Sequence, residues 1–292
     1  MPKDALPAIL PCSIAAETTE AIKQYSEALR EAAPALGNHG LATREFWDSG
    51  IFHAAIERLR GQRAATMKAK RQFVAGILDW LKSRALIVDW VAAGGNDRHD
   101  YEVHLPDGRT CCIEAKGCLD GNNTNIFQRP PNADEFVIWS LCQNPGADPR
   151  KNAWSGLHTR LSAEIVHRGE IVDGVVIWDM LCGTLGRPCP KLAVAAQRAA
   201  LVGLRSVPPP CIYLFPRLRP DARNNPSPRP HSLEAVKFLH VLSRAFGCDA
   251  ADITSVEIEV EMRGSTTARR TRLVRDGVEV AASKWTKIKR AR

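Results

Sequence analysis

Asp100, Glu114 and Lys116 are the residues of this chain whose types and spacing best suit chemistry, and all lie in the stretch HDYEVHLPDGRTCCIEAKG, residues 99–117. Side chains alternate faces along a strand, so Glu114 and Lys116 share one face if residues 109–116 are extended, and Ala115 points away. A three-residue loop of Pro106, Asp107 and Gly108 would set Leu105 opposite Arg109 and, counting back, Asp100 opposite Glu114. A loop with an even count would move Asp100 to the other face. Two neighbouring carboxylates repel, and without a partner one of them takes a raised pKa. A divalent cation removes that conflict. Oxygen ligands with open water positions suit Mg²⁺, which completes its shell from water and a phosphate. An amine beside them can orient an attacking water and offset charge developing on the phosphate. The chemistry this implies is phosphodiester hydrolysis; an exposed Glu-Lys pair on a surface hairpin is the competing reading.

Other side chains around the hairpin have weaker claims. Arg98 and His99 precede Asp100, and Glu102 and His104 have its parity. The segment after Lys116 offers Asn122, Asn123, Asn125 and Arg129, types that bond phosphates and base edges, although a solvated loop would have the same composition. Glu57 and Gln72 could add a contact from preceding helices. Cys111 and Cys112 read as small apolar filler. His158 and Arg160 read as a polar helix face, and the tryptophans of VIWSL and VVIWDM as core.

The elements around the hairpin follow from periodicity. Residues 16–60 read as largely helical. Residues 65–85 read as a stronger helix with Phe73, Val74, Ile77, Leu78 and Leu81 on one stripe. Strands are predicted at LIVDWV, at about 100–105 and 109–115, at FVIWSLC and at VDGVVIWDML, with a helix over Ser155–His167 before the last of these. PRLRPDARNNPSPRPH reads as a linker or long loop, followed by a helix over Ser232–Phe246 and a basic, β-rich ending. Helix, three meandering strands, then alternating strand and helix is an α/β layer pattern.

The 292 residues suffice for a full core, and 45% apolar with 25% charged is the balance of a globular protein. No run approaches the roughly 18 apolar residues of a bilayer span. The N-terminus lacks the basic flank of a signal peptide, so the chain reads as cytoplasmic and its nine cysteines as reduced thiols. No CxxC is present for structural zinc. Lys and Arg exceed Asp and Glu by 40 to 32, which favours a polyanionic partner; RGSTTARRTRLVR and KWTKIKRAR concentrate the excess. There is no GxxxxGK[ST] phosphate loop, so an ATP-driven motor is not expected.

Asp100 followed by Glu114-Ala115-Lys116 resembles the signature of the PD-(D/E)xK nuclease superfamily, which includes most type II restriction endonucleases. His99 stands where the nominal proline would be. The superfamily's order of helix, three-stranded meander, helix and strand covers roughly residues 65–180, although the crossover helix expected after the third strand has little support in GCLDGNNTNIFQRPPNADE.

The resemblance implies a restriction-endonuclease-like core, a mixed β-sheet flanked by helices, over residues 65–215. A helical region (1–64) precedes it; a proline-rich linker or loop (216–231) and a basic α+β region (232–292) follow. It implies a Mg²⁺-dependent (Mn²⁺ substituting), sequence-specific double-stranded DNA endonuclease of type II restriction character. Asp100, Glu114 and the Ala115 carbonyl would hold metal, and Lys116 would serve the water. Arg98, Asn122, Asn123, Asn125 and Arg129 would contact DNA. A homodimer is expected, with a cognate DNA methyltransferase in the same system. The alternatives are a repair, recombination or mobile-element nuclease, or a non-catalytic DNA-binding protein on this fold.

Overall fold

The computed structural model describes residues 20–21, 24–25, 39–49, 51, 55, 67–94, 99–116, 128–142, 154–179, 198–203 and 205–288. Arg98, Asn122, Asn123, Asn125 and Glu57, and the crossover between residues 117 and 127, lie outside these. In chain order the α-helices are α1 (Thr43–Ser49), α2 (Met67–Ser83), α3 (Ser162–Arg168) and α4 (Lys237–Ala245). A π-helical turn, Ser155–Leu161, runs directly into α3.

The strands are β1 (Asp89–Ala92), β2 (Tyr101–His104), β3 (Thr110–Lys116), β4 (Glu135–Cys142), β5 (Gly174–Asp179), β6 (Ala200–Val202), β7 (Arg205–Val207), β8 (Cys211–Leu214), β9 (Ile253–Arg263), β10 (Thr266–Arg275), β11 (Val278–Ala282) and β12 (Thr286–Lys287). Ten of them form one mixed sheet in the order β1-β2-β3-β4-β5-β8-β9-β10-β11, with β12 also on β10; β6 and β7 pair separately. The result is an α/β fold of one ten-stranded mixed sheet and, among the described residues, four α-helices.

The hairpin joining β2 and β3 forms as its turn residues dictate. Leu105 N–H donates to the Arg109 carbonyl at 2.9 Å, and Gly108 N–H returns to Leu105 at 3.0 Å, closing a loop of three residues. Gly108 has φ of 85°, left-handed backbone that a side chain would strain. With that count odd, Tyr101 pairs with Ile113 and Glu102 with Cys112. The sequence-derived register therefore holds along β2.

Strand β3 then runs parallel to β4, and β4 to β5, which buries both faces of the centre. On one face α2 lays Phe73, Val74, Ile77, Leu78 and Leu81, and α4 lays Phe238, Leu239 and Leu242, against Val103, Ile113, Trp139 and Trp178. Each large apolar side chain buried there contributes about 1.5–3 kcal/mol. Trp139 and Trp178 stack at 5.1 Å, core residues as their apolar runs predict. The other face packs Cys112, Phe136 and Ile138 under Leu157, Leu161 and Ile165.

Glu135 ties three elements together from inside the core. Its carboxylate accepts the amides of Lys237 (2.6 Å) and Phe238 (2.9 Å) at the start of α4 and pairs with Arg109 of the hairpin (3.2 Å). The first amides of a helix have no partner within it, so a carboxylate there satisfies them and complements the helix dipole. Burial nevertheless raises its pKa above the usual glutamate value, against the pull of those amides and Arg109. At Gly174 a Cβ would collide with Leu239 and lie 2.9 Å from the Tyr213 carbonyl, so β5 and α4 meet there only because the side chain is absent.

Residues 216–231 fold back on themselves, with bridges Pro216–Pro230 and Asp221–Asn225, and Val260 N–H of β9 reaches the Pro226 carbonyl. The C-terminal strands continue the same sheet as the hairpin. At the N-terminal end Tyr25, Phe46, Ile51 and Ala55 form a small cluster of their own.

Candidate active site

Glu114 and Lys116 project from the same face of β3 and form an ion pair, with side chains only 14% and 19% exposed. Burial is the main influence on Glu114 and raises its pKa; the Lys116 hydrogen bond and charge oppose this, and the Asp100 charge adds to it. Asp100 and Glu114 are therefore close enough to feel one another's charge.

Asp100 departs from the position that a straight strand predicts. Its N–H donates to the Ile113 carbonyl at 2.9 Å, although Ile113 is already the partner of Tyr101. Two residues against one is the count of a β-bulge. The bulge displaces Asp100 from its place directly across from Glu114. Its Oδ2 instead accepts Ala115 N–H at 2.9 Å, while Oδ1 meets Arg71 of α2 at 3.1 Å. Strand amides lie in the plane of the sheet, so this carboxylate takes a rung position where β2 begins, next to the backbone between Glu114 and Lys116. A strand residue's N–H and C=O point to the same side, so the Ala115 carbonyl shares the side on which its N–H meets Asp100. Two carboxylates and a carbonyl form an all-oxygen donor set of the kind Mg²⁺ takes.

The remaining side chains divide between the site and the frame. Arg129 is tied into the frame: Nε donates to the Ala133 carbonyl at 3.0 Å and the guanidinium lies 3.5 Å from buried Asp173, which also accepts Phe136 N–H. Gln72 is exposed on α2. His158 and Arg160 do not form the polar helix face that their sequence suggests. Arg160 is buried; His158 stacks on Trp154 and lies 3.4 Å from the Thr271 hydroxyl, and burial together with the Arg269 charge pushes its pKa down to about 4. The reason is tertiary: the helical segment packs against β10.

Sequence reasoning missed one group. His99 Nε2 lies 3.0 Å from Glu102 Oε1, and their ligand atoms and the Cys112 sulfur all lie within 4.8 Å of one another. The hairpin register alone pairs Glu102 with Cys112. The bulge at Asp100 is what turns His99 onto their face, and no local sequence feature announces it.

The basic C-terminal strands carry ion pairs of their own. Arg272 of β10 meets Glu257 at 2.9 Å, Glu259 at 3.3 Å and Glu279 at 2.6 Å, and Arg263 pairs with Glu261. Much of the positive charge there is answered within the sheet. No helix among the described residues is long and apolar enough to cross a membrane. Compared with family models, with curated proteins and with solved structures, the chain finds no match in any of the three.

Proposed function

We propose that the chain is a Mg²⁺-dependent, sequence-specific double-stranded DNA endonuclease of type II restriction character, built on a restriction-endonuclease-like core. The observation that carries this reading is the gathering of Asp100, Glu114 and Lys116 where β2 begins and β3 ends, with Asp100 bonded to the amide of the residue between the other two. Asp100, Glu114 and the Ala115 carbonyl would hold Mg²⁺, which supplies Lewis-acid stabilisation of the phosphate when bound.

The chain's own groups do the rest. Lys116 holds the attacking water and offsets charge gathering on the scissile phosphate. Glu114 restrains the Lys116 ammonium, so its direction is set before substrate arrives. Arg71 pairs with Asp100 Oδ1, an oxygen it would release to a bound cation. A homodimer supplies a second site for the second strand of a symmetric target.

The experiment is incubation of supercoiled plasmid with the full chain in Mg²⁺ or EDTA. Discrete Mg²⁺-dependent fragments support restriction cleavage. Smearing points to unspecific cutting, a gel shift without cutting to a binding protein. Lys116→Ala and Glu114→Ala should each reduce cleavage by at least about a hundredfold while leaving DNA binding nearly intact, since only one contact among many is lost. Full cleavage by both variants would end the proposal.

A further inference from the structure

We infer that His99, Glu102 and Cys112 form a second cation site, suited to a borderline divalent ion such as Zn²⁺ and distinct from the oxygen-only site of Asp100, Glu114 and Ala115. One imidazole nitrogen, one carboxylate oxygen and one sulfur lie mutually within 4.8 Å, with His99 Nε2 and Glu102 Oε1 3.0 Å apart. Zinc distances in a tetrahedral shell put neighbouring ligand atoms roughly 3.3–3.6 Å apart, so small side-chain adjustments suffice. The backbone has already done the larger work: β2 and β3 place Glu102 directly across from Cys112, and the bulge brings in His99.

Two further observations favour a ligand over a packed core corner. The His99 side chain is only 5% exposed, and its buried Nδ1 has no hydrogen-bond partner among the described residues. A buried imidazole nitrogen left unsatisfied costs free energy, so the His99–Glu102 contact is not a fully satisfied core pair. Glu102 Oε1 also accepts Asn132 Nδ2 at 3.0 Å, the kind of outer contact that orients a ligating carboxylate.

Donor chemistry selects the ion. Sulfur and imidazole favour Zn²⁺, Co²⁺ or Ni²⁺ over Mg²⁺, which prefers oxygen alone. Three protein ligands leave one tetrahedral position for water. Because His99 directly precedes Asp100, an ion here pins the bulge to β3 and so fixes the backbone that carries Asp100. The site stands independently of the hydrolytic reading.

The test is Co²⁺ titration of the metal-stripped full chain, read as absorbance. Coordination by Cys112 produces a thiolate-to-cobalt charge-transfer band at one equivalent, and an excess of Mg²⁺ leaves it in place. Cys112→Ser should abolish the band. His99→Gln should weaken Co²⁺ binding about tenfold or more. Glu114→Gln should retain the band, which separates this site from the neighbouring one. Far-ultraviolet circular dichroism checks that each variant is folded; if Cys112→Ser is not, the His99→Gln affinity decides. A wild-type protein without a thiolate band, a band of full strength in folded Cys112→Ser, or unchanged affinity in His99→Gln would overturn the inference. Plasmid cleavage without a cobalt band would overturn this site alone, and a cobalt band without cleavage would leave it standing.

Discussion

Asp100 accepts the backbone N–H of Ala115 at 2.9 Å, so a carboxylate stands where the next rung of the β2–β3 ladder would otherwise be. The same side chain thus closes the hairpin and faces the proposed metal.

These two roles separate by substitution. Asp100→Asn keeps an acceptor for Ala115 N–H and should fold with nearly unchanged stability, yet lose Mg²⁺-dependent cleavage by at least about a hundredfold. Asp100→Ala should lose cleavage and also about 1–2 kcal/mol, because the Ala115 amide is left without its partner. Urea denaturation beside the plasmid assay distinguishes the two.

Glu114 is a partly buried acid whose pKa in the fold is raised, chiefly by desolvation. The folded protein then binds more protons than the unfolded chain, and stability falls as pH rises from the ordinary glutamate range through the raised value. Glu114→Gln should therefore raise the melting temperature of the metal-free protein at neutral pH, with the gain shrinking on acidification. With saturating Mg²⁺ the order should reverse, since only the wild type gains the ion's binding free energy.

Glu135→Ala removes acceptors from two α4 amides and the partner of Arg109 at once. The expected loss is about 2–4 kcal/mol, with Glu135→Gln intermediate because one amide oxygen remains. Equilibrium unfolding of the three proteins tests this ordering.

His158, depressed to about 4, stays neutral in the fold at pH values where the unfolded chain's histidine is already protonated. Stability present above the ordinary histidine value is lost as pH falls from about 6.5 toward 4. The site is half-buried, so solvent screening holds the loss to about 1–2 kcal/mol. His158→Gln should flatten this acid limb, measured as urea midpoints at pH 7 and pH 4.5.

Local chemistry made much of this hairpin legible. Pro106-Asp107-Gly108 predicts its own loop length and so the β2–β3 register, while alternation along β3 puts Glu114 and Lys116 on one face. The apolar stripe of α2 and the runs EFVIWSLC and GVVIWD are equally local signals, one of period 3.6 and the others buried on both sides. What stayed hidden depends on partners distant in sequence. Asp100 leaves its straight-strand position because the Ile113 carbonyl is shared and Arg71 arrives from α2; the same step turns His99 toward Cys112. His158 and Arg160 look like a solvated face until β10 covers them. Nor does the arginine-rich run TTARRTRLVR show that glutamates of β9 and β11 await it.

The arginine of that run with the most carboxylate partners works as a stitch between strands. Arg272 contacts Glu257 and Glu259 on one side and Glu279 on the other, so its charge is spent holding β9, β10 and β11 in register. The arginine count of this edge therefore overstates what it can offer a polyanion, whereas the formal net charge of +8 already subtracts those glutamates. Each phosphate neutralised by a free cation would steepen the fall of affinity with salt. Counting arginines along β10 would predict a slope too steep by the share that these glutamates already hold.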